Sequence, residues 1–63
     1  MPGPVVEHEV GDQVVVTTRD DSEYDKTVTV VARHINWSRV LYIVEIPTGE
    51  HWSYFADELK KKE

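Results

Sequence analysis

The stretch RVLYIVEIPTGEHWSYF, residues 39–55, decides the fold. It holds two runs of strand-forming residues around Pro47, Thr48 and Gly49. Three residues of this kind make a tight hairpin connection in which a glycine supplies the positive φ that the turn demands. The first run, Arg39 to Ile46, is apolar on both faces and reads as a central, strongly curved strand. The second, Glu50 to Phe55, alternates: Trp52 and Tyr54 point one way, His51, Ser53 and Phe55 the other. Only one of the two sets faces a core. Phe55, placed just before a helical turn ADEL at 56–59, is expected inside with Leu59, which puts Trp52 and Tyr54 on the opposite face.

The same period of two extends toward the N-terminus. QVVVTT, residues 13–18, follows a Gly11-Asp12 turn and presents Val14 and Val16 on one face. TVTVVARHI, residues 27–35, places Val28 and Val30 together, and Val31 then interrupts the alternation, as a β-bulge does. Between these strands RDDSEYDK, residues 19–26, is polar and acidic and reads as a loop longer than a hairpin turn. No segment repeats apolar residues at three and four over more than a turn, and β-branched residues this dense oppose a helix. The expected class is all-β: a small antiparallel barrel of about five strands with one short helical turn near the C-terminus. Residues 1–9, with Pro2, Gly3 and Pro4, read as a flexible leader, 10–60 as the barrel and 61–63 as a charged tail.

Composition bounds the function. A chain of 63 residues holds one domain, and a domain of that size buries only about 60% of its unfolded surface, so most large apolar side chains are needed inside. Cysteine is absent, which removes disulfides, thiolate metal sites and a cysteine nucleophile. Twelve acidic against seven basic residues give a net charge of −5, the wrong sign for a phosphate backbone. No apolar run approaches the roughly 18 residues that span a bilayer, and no basic-then-apolar leader opens the chain, so no membrane insertion and a cytoplasmic location are expected.

Chemistry is sparse. His8, His34 and His51 stand in no metal-ligand spacing, and Ser22, Ser38 and Ser53 in no nucleophile motif. No catalytic residue, metal or cofactor is assigned. Trp37, between Asn36 and Ser38 at a turn, is the strongest pointer to a contact surface, because burial at a hairpin tip is hard. Its alternative is to fold back over the barrel mouth. Trp52 and Tyr54 either extend a surface patch or cover a sheet edge, since these residues are enriched in small cores and at interfaces alike.

The sequence order resembles the SH3-like small barrels. Gly11, Asp12, Val14 and Val16, then Val28 and Val30, then Tyr42 and Val44, then Gly49, Phe55 and Leu59 carry the resemblance. Within that superfamily the Gly49, Trp52, Phe55 and Leu59 spacing looks most like small subunits that dock onto photosynthetic electron-transport complexes. The resemblance implies a non-catalytic interaction module or accessory subunit. A partner protein is expected on Trp37, Trp52, Tyr54 and Tyr24, flanked by Asp20 and Asp21. Two alternatives stay open: a nucleic-acid-binding barrel using Arg33, Arg39 and the terminal lysines, and a reader of a cationic or methylated side chain with Tyr24, Trp37 and Tyr54 as cage walls.

Overall fold

The computed structural model describes residues 7–37 and 39–62. Five antiparallel strands form one sheet: β1 (Gln13–Val16), β2 (Thr27–Asn36), β3 (Arg39–Glu45), β4 (His51–Phe55) and β5 (Leu59–Lys61). A 3-10 turn, Ala56–Glu58, connects β4 to β5, as the sequence predicts. The strand order is β4-β3-β2-β1-β5, so β1 is held between the chain's longest strand and its last. Side chains from all five strands meet in one cluster: Val14, Val16, Val28, Val30, Val40, Tyr42, Val44, Tyr54 and Leu59, joined by Ile46.

Local chemistry explains the connections. Gly49 has φ 93° and donates its N–H to the Ile46 carbonyl, closing the Pro47–Thr48 turn that the sequence calls for. The expected bulge is present too: Val30 pairs with Val44 and Ala32 with Ile43, leaving Val31 as the extra residue. Its effect is to switch faces. Beyond it Arg33 and Ile35 fall on the Tyr42 and Val40 side, while His34 and Asn36 pair with Leu41 and Arg39 on the outer side.

The structure inverts the expected facing of β4. Tyr54 is buried and Phe55 only half-buried, while Trp52 is partly buried against the core. The register fixes this, because Tyr54 pairs with Tyr42 and Phe55 with Leu41, and Tyr42 is the largest fully enclosed side chain. Both tyrosines tolerate burial because their hydroxyls have partners. The Tyr42 oxygen accepts N–H bonds from Glu7 at 3.1 Å and His8 at 3.3 Å, and the Tyr54 hydroxyl donates to Asp21 Oδ1 at 2.9 Å.

Both ends of the described chain make contacts with the rest of the fold. Residues 1–6 and 63 lie outside the described residues. His8 is buried, its ring set edge-on to Tyr42 at 5.1 Å, and Glu9 pairs with Arg33 at 2.7 Å. Lys61 belongs to β5, and the Lys62 N–H reaches the Gln13 carbonyl. The N-terminal arm is therefore part of the core's lid.

Stability should follow this facing. Tyr42→Ala is expected to cost about 3–5 kcal/mol, the range for removing a buried aromatic ring. Phe55→Ala is expected to cost about 1–2 kcal/mol, because its ring is only partly enclosed and its loss opens onto solvent without leaving a sealed cavity. Urea denaturation of the two variants checks the order; a larger loss for Phe55→Ala would contradict the register described here.

Candidate functional site

The outer face of the β2–β3–β4 sheet carries a groove whose side chains are not part of the core. Alternate residues of three paired strands stand there in rows: Asn36 with Arg39, His34 with Leu41 and Phe55, Ala32 with Ile43 and Ser53. The first two rows and Trp37 line a groove of about 280 Å³. Arg39 lies flat over the Phe55 ring, its guanidinium carbon 3.6 Å from the ring centre. Such a stack holds both side chains in place while leaving the guanidinium edge toward solvent. The hairpin end stands clear of the core, and even Ile35, on the Val40 side, is 52% exposed.

Trp37 forms the lip. It lies between the paired residues Asn36 and Arg39, is 93% exposed and has φ 58°. Left-handed backbone costs an L residue roughly 1–2 kcal/mol, and a two-residue hairpin loop normally places Asn, Asp or Gly there. Asp25, the other non-glycine residue with positive φ among those described, is of a tolerant type. Trp37 is not. A bulky ring is thus held in an unfavourable backbone state without burying its surface.

The remaining expected contact residues are elsewhere. Tyr54 is in the core and Trp52 packs against it, so neither stands with Trp37. Asp21 is not a free rim charge: its Oδ1 accepts both the Tyr54 hydroxyl and the Glu23 N–H. Glu23 is itself buried and pairs with Lys26 at 3.1 Å. The loop is tied down further where Asp25 donates to the Val16 carbonyl and Thr18 Oγ1 reaches Glu58. Tyr24 and Asp20 are exposed on this loop, but neither lines the groove, so Tyr24, Trp37 and Tyr54 do not converge as a cage. Burial first, then the bond to Asp21 and the charges of Asp21, Glu23 and Glu58, raise the Tyr54 pKa well above its ordinary value.

Phe55, Arg39, Leu41, His34 and Asn36 are the groove residues that sequence reasoning does not bring together with Trp37. The available signal was the pairing across Pro47–Gly49, which links Phe55 to Leu41 once Tyr42 is placed inside. Among the described residues no three His, Asp or Glu side chains gather as a metal site, and no helix is long and apolar enough to cross a membrane. Compared with known proteins, the chain matches no family model, no curated protein and no solved structure.

Two outcomes follow from this geometry. Trp37→Asn should raise stability by about 0.5–1 kcal/mol, since Asn accepts left-handed backbone and no buried contact is lost; an urea midpoint below the parent's would show that the ring supports the fold. Tyr54→Phe should lower stability by about 1.5–3 kcal/mol at neutral pH, the scale of a hydrogen bond to a charged group. Because the folded-state pKa of Tyr54 is raised, its contribution is complete below the unfolded value near 10 and declines as pH rises beyond it. Stability of the parent should therefore fall more steeply above pH about 10 than that of Tyr54→Phe, measured by denaturation across that range.

Proposed function

We propose that this protein is a non-catalytic interaction module that binds a partner protein through the groove beneath Trp37. The observation that carries the reading is the exposed Trp37 ring, held in left-handed backbone at the lip of an apolar-walled groove. Tryptophan and arginine beside aliphatic groups are the residue types in which interface energy concentrates. The groove volume is at the lower bound of small-molecule pockets and suits one or two side chains of a protein segment. A non-catalytic role is supported by the lining itself. Among the described lining residues there is no carboxylate and no hydroxyl or thiol nucleophile, and the one base is His34.

The net charge of −5 favours a protein over a nucleic acid. The strand order, with a 3-10 turn leading into β5, supports placing the chain among the SH3-like small barrels. Docking as a small accessory subunit is compatible with both.

Affinity capture from nuclease-treated host extract, followed by titration of the purified partner, tests the reading. Trp37→Asn is expected to fold at least as well as the parent and to weaken partner binding by about 2 kcal/mol, or roughly 30-fold. Unchanged affinity in that variant, or retention of nucleic acid alone, would count against a protein-binding groove.

A further inference from the structure

Among the described groove residues Arg39 is the one permanent cation. No carboxylate among the described residues lies within ion-pair distance of Arg39, and the same holds for Arg19, Lys60, Lys61 and Lys62, none of which lines the groove. The contact of Arg39 is the Phe55 ring, which engages one flat face of the guanidinium. The N–H edge, the part that matches a carboxylate with two parallel hydrogen bonds, is left unused by ion pairing. None of the six groove residues is acidic. Along β3 the nearest acid on the same face is Glu45, six residues away and so roughly 20 Å of strand, and it is engaged by His51. Across the β4 end, Glu58 accepts the Phe55 N–H and the Thr18 hydroxyl.

From this arrangement we infer that the groove takes an acidic segment of a partner protein: a carboxylate seated on the Arg39 edge, with an adjacent apolar side chain between Trp37, Leu41 and Phe55. The inference rests on the reading of the groove as a protein-binding site. Local and net charge point in different directions here, and scale separates them. At physiological salt a charge is screened within about 8 Å, so one carboxylate held at Arg39 meets mainly the groove. A run of phosphates would extend over the rest of a surface whose net charge is −5. One guanidinium does not offset that. The stacked Phe55 also lowers the cost of fixing the arginine, because its plane is already oriented before the partner arrives.

Selection of short, terminally blocked random peptides on the immobilised full chain, counter-selected against Trp37→Asn, reads the preference directly. Enriched peptides are expected to carry Asp or Glu within two positions of Leu, Phe or Trp. A synthetic peptide from that set should lose about 10-fold or more in affinity when its acid becomes the amide, and similarly on Arg39→Gln. The two changes together should cost no more than either alone, and Arg39→Lys, which keeps the charge without the planar fork, should recover only part of the loss. Trp37-dependent peptides without an acidic bias, or with a basic one, would overturn the inference while leaving the groove as a protein-binding site. Absence of any Trp37-dependent peptide would overturn both. Tighter binding of oligothymidylate than of any peptide, lost on Arg39→Gln, would assign the guanidinium to phosphate and overturn both as well.

Discussion

A tyrosine can be sealed in the middle of a small sheet only where its hydroxyl is met by other polar groups, and Tyr42 meets that condition through the N–H groups of Glu7 and His8. Everything that faces outward follows from that placement. With Tyr42 inside, its cross-strand neighbour Tyr54 is inside, and the pair Leu41 and Phe55 must stand on the other face. Tyr54 in turn needs a partner, which the acidic loop supplies in Asp21. The loop between β1 and β2 and the N-terminal arm are thus parts of the core's polar closure. The Asp21 carboxylate and the N–H groups of Glu7 and His8 hold the two phenols.

The bulge at Val31 is the second constraint. A strand that kept strict alternation would carry Ala32 and His34 inward after Val28 and Val30, toward the Tyr42 ring. One extra residue exchanges the faces, so that Arg33 and Ile35 follow the core side and His34 and Asn36 reach the outer face. The outer row then contains two polar residues of β2, Arg39 and Leu41 of β3 and Phe55 of β4. That mixture is neither a solvated polar face nor a core. An amphipathic concavity results, with an arginine already oriented by an aromatic ring.

Trp37 keeps a large exposed ring at a cost in backbone energy. Its backbone conformation is one that glycine or asparagine would occupy at lower cost, and its ring buries almost nothing. A domain this small has few other large side chains to spare, since Tyr42, Tyr54 and in part Trp52 are committed to the core. The hairpin tip is where a large ring remains available without opening a cavity.

The sequence by itself determined the all-β class, the five strands, the turn at Gly49, the irregularity at Val31, the valine core and the short helical turn before Leu59. Each of these is local: period-two alternation, β-branched density and the positive φ of a glycine are properties of a few consecutive residues. It also singled out Trp37, because a ring at a two-residue turn has no room to be buried. Only the tertiary structure decided which face of β3 and β4 lies inside. On β3 both faces are apolar, so alternation does not tell which set is enclosed, and on β4 Phe55 shares a face with the polar His51 and Ser53 while Trp52 and Tyr54 turn inward. That choice rests on partners 33 to 35 positions away in sequence, Asp21 for Tyr54 and Glu7 and His8 for Tyr42. For the same reason Phe55 and Arg39 are legible as a site only once three strands are paired, because the groove exists between them and in none of them alone.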